Sequence, residues 1–216
     1  MTYSDDPRDL VELAVSIGVR AAELARFERG DGIDVAYSKT ALTDIVTEGD
    51  RRTEQFIREA VALARPDDGF LGEEFDPKPS ASGLTWVVDP IDGTVNYLYG
   101  LAPCAVSIAI VRGDVQSGDW EPLAGAVVSI FGGDVYTAVT GQGAFLNGRR
   151  ISVGDKAELV TAMVCTSFAY DPQVRDRQAR VVNRLITQVR DIRRVGCASI
   201  ELCSLASGKG DFFYDR

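Results

Sequence analysis

The segment Trp86-Val87-Val88-Asp89-Pro90-Ile91-Asp92-Gly93-Thr94 constrains this chain more than any other. An apolar run breaks abruptly into two carboxylates, a glycine and a threonine. A strand that carries acids at its tip and turns through glycine into a helix start is how α/β folds present groups to a ligand. Upstream, Phe70-Leu71-Gly72-Glu73-Glu74 ends a second apolar run, which makes Glu73 a candidate third carboxylate. Three acids brought together without a basic neighbour in sequence repel one another unless a cation lies between them. The pattern predicts a divalent-metal site beside helix-start N–H groups that suit a phosphate.

The chain contains no histidine. That excludes Ser-His-Asp and Cys-His catalysis, histidine general bases and His-rich zinc sites. The chemistry falls to carboxylates, hydroxyls, lysine, arginine and thiols, and hard oxygen ligands favour Mg²⁺, Mn²⁺ or Ca²⁺ over zinc. Cys104, Cys165, Cys197 and Cys203 lack Cys-x-x-Cys spacing and are expected to be small buried apolar residues in a reducing cytosol. A net charge of −9 argues against non-specific nucleic-acid binding. No run approaches the ~20 apolar residues of a membrane span, and the acidic N-terminus lacks a signal-peptide core. A soluble cytoplasmic protein with no membrane or nucleic-acid partner is expected.

The 216 residues, 45% of them hydrophobic, suit one large or two small domains with a real core. Asp6-Pro7 starts a helix, with proline at its first position and helical spacing of apolar residues up to Gly30. A second helix is predicted from Thr47 to Ala64, with Thr47 as N-cap and Asp50 in the first turn. Strands are predicted over 69–73 and 85–89, separated by a Pro- and Ser-rich loop over 75–83. Strand patterns then recur over 106–111, 123–129, 135–139 and 144–146, and Asn147-Gly148 is a hairpin signal. The last third alternates: strand 163–167, a helix from Asp171-Pro172 with Val181, Val182, Leu185, Ile186 and Val189 as its apolar stripe, strand 192–195, helix 199–206, strand 211–214. An α+β fold is expected, with residues 1–153 as an N-terminal domain carrying the acidic motifs and 154–216 as the start of a C-terminal α/β domain.

Taken singly, Asp92 is explained by a turn with helix capping, because Asp, Gly and Pro are ordinary turn residues. The whole arrangement is not. Asp-x-Asp-Gly-Thr is also the signature of phosphatases that use the first aspartate as a covalent nucleophile. Here Pro90 and Ile91 separate the aspartates, one residue more, which argues against that mechanism.

Gly72-Glu73-Glu74 followed by Trp86 through Thr94 and Val95-Asn96-Tyr97 resembles the inositol monophosphatase family. Asp44-Ile45-Val46-Thr47-Glu48-Gly49-Asp50, Gly141-Gln142-Gly143-Ala144-Phe145-Leu146-Asn147-Gly148 and Arg194-Val195-Gly196-Cys197-Ala198-Ser199-Ile200 resemble further family segments in the same order. The resemblance implies a layered αβαβα sandwich of the inositol monophosphatase/fructose-1,6-bisphosphatase type, a homodimer, and Mg²⁺-dependent hydrolysis of a small phosphomonoester. Carried over, Glu73, Asp89 and the Ile91 carbonyl would hold a first Mg²⁺. Asp89 and Asp92 would hold a second, and Glu73 would contribute to a weaker third. Mn²⁺ would substitute, and Li⁺ or Ca²⁺ would inhibit. Asp50 and Thr94 would orient a water made more acidic by the metal, and the Gly93 and Thr94 N–H groups would hold phosphate. Gly196, Cys197, Ala198 and Asp215 would join Asp92 in contacting the rest of the substrate, with Asp215 standing where the family commonly has the longer Glu. Lys39 matches a family lysine near the site.

The family takes a further metal aspartate from a Trp-Asp motif beyond the strand at 211–214. The sequence ends at Arg216, so the second ion is expected to keep two protein carboxylates and bind weakly, with the C-terminal domain incomplete. Residues 92–100 look more like inositol phosphatases than histidinol phosphatases, which tend to carry a basic residue after the threonine. Histidinol phosphate, other sugar or nucleotide phosphates, and a non-catalytic partnership with the transcription machinery are the alternatives that the resemblance leaves open.

Overall fold

The computed structural model describes residues 4–30, 35–38, 45–155 and 158–215. Helix α1 (Pro7–Arg29) begins where expected, because the Asp6 carboxylate accepts the Arg8 N–H at 2.9 Å. Its buried face, Leu10, Ala14, Ile17, Ala21 and Ala25, consists mostly of small residues. A Cβ placed on Gly18 would lie 3.0 Å from Val128 Cγ2, so the helix rides close on the sheet beneath. Strands β1 (Val35–Ser38) and β2 (Ile45–Thr47) form an antiparallel pair. Helix α2 (Glu48–Ala64) follows at once, with Thr47 and Asp50 forming a reciprocal capping box.

The main sheet contains β3 (Gly69–Leu71), β4 (Leu84–Asp92), β5 (Ala105–Asp114), β6 (Asp119–Ser129), β7 (Val135–Val139), β8 (Gly143–Leu146) and β9 (Arg149–Ile151), in that spatial order. Only β3 pairs in parallel, with β4; every later neighbour is antiparallel. Period-two alternation sorts the two faces. Val106, Ile108 and Ile110 of β5 and Ala124, Ala126 and Val128 of β6 are buried in the core cluster with α1 and α2. Ser107, Ala109, Gly125 and Val127 line a groove of about 310 Å³ on the other face, under Leu202, Cys203 and Ala206. Asn147 (φ 50°) and Gly148 (φ 75°) make the tight β8–β9 turn, and β9 is the return strand that its weak apolar pattern concealed.

The chain then builds a second, parallel sheet. Strand β10 (Met163–Thr166) lies between β11 (Asp191–Arg193) and β12 (Phe212–Tyr214). Helix α4 (Pro172–Leu185) connects β10 to β11, and α5 (Ala198–Ala206) connects β11 to β12; the short α3 (Thr94–Tyr99) belongs to the first sheet. The first crossover steps from the central strand to one edge, and the second runs back across it to the other edge, in the opposite direction. Right-handed connection therefore puts α4 and α5 on opposite faces, and the crevice at the carboxyl ends of the strands is a topological switch point. The result is a layered α/β sandwich: helices, mixed sheet, helix, parallel sheet, helix.

Several expectations differ: β3 ends at Leu71, so Glu73 lies in the turn beyond it, and β11 spans Asp191–Arg193 rather than 192–195. The α4 stripe is not a packed face, since the helix ends at Leu185 and Val181 and Ile186 are exposed. Its buried residue is Gln178, whose Oε1 accepts the Ala169 N–H at 2.9 Å. The strand predicted over 85–89 continues to Asp92, because a register shift between Asp89 and Asp92 absorbs Pro90 and Ile91 while pairing with β5 resumes at Asp92–Ala105.

Candidate metal centre

The tip of β4 is shaped by its own side chains. The Ile91 N–H donates to Asp89 Oδ1 at 3.1 Å, so the bulge is closed by the carboxylate that it displays. The Ile91 side chain is fully buried. Gly93 then takes φ 92°, and a Cβ there would lie 3.0 Å from the Gly196 carbonyl and 3.1 Å from that of Pro103. Glycine is required twice over, by the left-handed backbone and by this close approach. Helix α3 starts from that turn and is pinned from three sides. Tyr97 Oη donates to the Ala25 carbonyl at 2.6 Å, Arg29 Nε donates to the Tyr97 carbonyl at 2.8 Å, and Asn96 Nδ2 donates to the Val195 carbonyl at 2.7 Å.

Thr94 and Asp50 meet as expected. Thr94 Oγ1 lies 3.2 Å from Asp50 Oδ1 and 3.2 Å from the Ile91 carbonyl, so its proton has two acceptors and a lone pair of the hydroxyl faces outward. The other Asp50 oxygen accepts the Thr47 N–H at 2.8 Å and the Thr47 hydroxyl. Burial raises the Asp50 carboxyl to about 6, against the lowering effect of the Thr47 and Thr94 hydrogen bonds. Asp50 does not itself line the cleft; it stands behind Thr94.

Glu73, Asp89, Ile91, Asp92, Gly93 and Thr94 share one wall of a cleft of about 200 Å³. Burial first, then the charges of Glu73, Asp92 and Asp50, pushes the Asp89 carboxyl well above the usual carboxylate range. Arg194 is the only basic side chain lining the cleft among the described residues. Crowded anions with a single compensating charge are what a divalent cation would relieve, and the donors are all hard oxygens. Among the described residues no three acidic or cysteine side chains, Glu73, Asp89 and Asp92 included, are grouped closely enough to hold a metal ion by themselves. The cleft is open, and an ion there would draw on the Ile91 carbonyl, water or substrate oxygens as well, which suits Mg²⁺.

The opposite wall comes from the second sheet. Ser167, Phe168 and Tyr170 follow β10, and Arg194, Gly196, Cys197 and Ala198 follow β11, so this wall lies at the carboxyl ends of the parallel strands. Burial and the Asp92 charge raise the Cys197 thiol far from any thiolate, and burial lifts Cys104 to about 12, which leaves both chemically inert. Asp215, expected against substrate, follows β12 and is exposed, outside the residues that line the cleft. Lys39 and Asp44 lie outside the described residues. Sequence reasoning missed Glu54, whose carboxylate binds the backbone of the Glu73 turn, and Glu201, which accepts the Val195 N–H at 2.9 Å. For Glu54 the signal was an acid among the buried positions of α2; Glu201, the one buried residue of α5, gave none. Ser167, Phe168 and Tyr170 gave none.

The sequence profile of the inositol monophosphatase family matches residues 6–216. The inositol-1-monophosphatase SuhB of Mycobacterium tuberculosis is 36% identical over 235 aligned positions, which cover 100% of this chain and 79% of that protein. Its solved structure superposes with a TM-score of 0.82 at 34% identity, covering 99% of this chain and 79% of that one. The extragenic suppressor protein SuhB of Bartonella henselae superposes with a TM-score of 0.86 at 29% identity, over 95% of this chain and 78% of that one. With the motifs, the layered sheets and the acidic cleft in agreement, the chain belongs to the inositol monophosphatase family, whose members are magnesium-dependent phosphatases.

Proposed function

We propose that this protein hydrolyses inositol 1-phosphate. The observation that carries the reading is the juxtaposition of Asp89 and Asp92 with Glu73 on one cleft wall, beside a Thr94 hydroxyl 3.2 Å from the Asp50 carboxylate. Glu73, Asp89 and the Ile91 carbonyl would hold one ion, Asp89 and Asp92 would hold a second, and Glu73 would contribute to a weaker third. Bound magnesium supplies neutralisation of phosphoryl charge and a more acidic water. The chain does the rest. Thr94 donates a hydrogen bond to Asp50, which leaves its oxygen free to orient water by accepting one. The Gly93 and Thr94 N–H groups at the start of α3 face the phosphate. Residues 92–100, and the 36% identity with a protein named inositol-1-monophosphatase, favour inositol over histidinol as the leaving group.

The test is phosphate release from inositol 1-phosphate and from histidinol phosphate across a Mg²⁺ titration. Release that requires Mg²⁺, prefers inositol 1-phosphate and disappears in Asp92→Asn is expected. Mg²⁺-independent turnover, or faster turnover of histidinol phosphate, would refute the assignment.

A further inference from the structure

Glu54 is the anomaly of α2. Its side chain is 0% exposed, on a helix face otherwise given to packing. A buried carboxylate is costly unless its oxygens are paired. Glu54 Oε2 accepts the Glu73 N–H at 2.8 Å and the Glu74 N–H at 2.6 Å. Oε1 lies 3.3 Å from Arg58 Nη2, one helical turn further on. The same guanidinium donates to the Asp76 carbonyl at 3.0 Å and sits 4.5 Å from the Phe70 ring centroid. Two successive N–H groups aimed at one oxygen define the turn that follows β3. A Cβ on Gly72 would lie 2.1 Å from Glu54 Oε1, so the turn closes on the carboxylate only because residue 72 has no side chain. One turn earlier on α2, Asp50 holds Thr94.

We propose that Glu54 is a positioning residue for Glu73. Its carboxylate fixes the 72–74 turn from behind, so that Glu73 enters the cleft in a set direction. Helix α2 thereby sets both halves of the site: Thr94 through Asp50, and Glu73 through Glu54. The inference rests on the metal-site reading above. Partners that orient a ligand typically change metal affinity about 10–100-fold when removed.

The test is Mn²⁺ binding to the full chain, followed by the electron paramagnetic resonance signal of free Mn²⁺, with folding checked by circular dichroism. Glu54→Ala should weaken binding about 10–100-fold with the fold retained. Glu54→Gln keeps an oxygen that accepts both N–H groups, though it loses the acceptor for Arg58, and should bind more tightly than Glu54→Ala. Gly72→Ala keeps Glu54 but crowds its carboxylate, and should weaken binding as Glu54→Ala does. Folded Glu54→Ala or Gly72→Ala that binds like the unmodified chain overturns the proposal, and so does Glu54→Gln as weak as Glu54→Ala. If Glu54→Ala does not fold, Gly72→Ala decides by the same criterion. Absence of Mn²⁺ binding in the unmodified chain would sink the metal-site reading and this inference with it; unchanged binding in the variants would sink this inference alone.

Discussion

Asp92 caps a helix in the other sheet: its Oδ2 accepts the Ser199 N–H at 2.5 Å, across 107 residues of chain. Oδ1 lies 3.2 Å from the Ala198 N–H, and the Cys197 thiol is 3.3 Å from Oδ2. Cys197, the residue at the cap position of α5, makes no side-chain cap bond of its own. One carboxylate therefore satisfies helix-start donors, meets the positive end of the helix dipole and faces the cleft. The acid that helps to make the site also fastens the two sheets together across it.

This double role separates two substitutions. Asp92→Asn keeps an oxygen acceptor for the cap and removes a charge that repels Asp89. Its metal-free stability in urea should equal or exceed that of the unmodified chain, while Mn²⁺ binding weakens. Asp92→Ala should lose the cap as well, about 1 kcal/mol. Equal stability of the two variants would show that Asp92 does not cap α5.

The acidic cleft makes metal-free stability depend on pH in an unusual direction. Asp50 keeps its proton up to about pH 6 in the folded chain, whereas an unfolded aspartate releases it near ~3.9. Asp89 is shifted the same way. Through that window the folded state carries more protons, so stability falls as pH rises, and the loss stays in full above it. Asp89→Asn removes one of them and keeps an oxygen for the Ile91 N–H. In EDTA, it should be more stable than the unmodified chain at pH 7, with the gap closing toward pH 4. A gap independent of pH would contradict the buried, crowded state of Asp89. Mg²⁺ binding should release protons at pH 6, read by calorimetry in two buffers of different ionisation enthalpy.

What the sequence disclosed was local. The Thr47 N-cap with Asp50 in the first turn, the proline start of α1, the Asn147-Gly148 turn and the acidic tip of β4 are short-range patterns with a fixed spacing, and the structure has them where the spacing put them. The pairings that aim the site have no spacing to read. Asp92 reaches Ser199, Glu54 reaches the 73–74 backbone, and Asn96 reaches Val195, each through side chains whose partners are set by sheet order and crossover handedness. The α4 stripe shows the reverse failure. Apolar periodicity there was real, but Gln178 is the side chain that is buried.

Gly93 offers a test of the strand-tip geometry. At φ 92° an alanine pays for a left-handed backbone and meets the Gly196 and Pro103 carbonyls. Gly93→Ala should destabilise by about 1–3 kcal/mol and lower kcat more than it raises KM. A neutral effect on both would mean that the turn and the second sheet are not in close contact.

Far from the cleft, a buried network holds β4 to the end of α2. Asp68 Oδ2 accepts Arg65 Nε at 2.8 Å and Trp86 Nε1 at 2.9 Å, and Oδ1 accepts the Ser82 hydroxyl at 2.7 Å. Asp68 is 1% exposed and Arg65 7%, so deleting the acid strands an indole N–H and leaves the buried guanidinium with Asp5, at 2.6 Å, as its remaining ion partner. Burial alone would raise the Asp68 carboxyl, yet the donors around it, Arg65 first, hold it below the ordinary range. Asp68→Ala should therefore cost about 1–3 kcal/mol, read as a lower urea midpoint at pH 7. Because the folded carboxyl is the more acidic, the penalty should shrink as pH falls through ~3.9 and below. A loss under about 1 kcal/mol would be that of an exposed ion pair, and would place Arg65 and Asp68 in water rather than under Trp86.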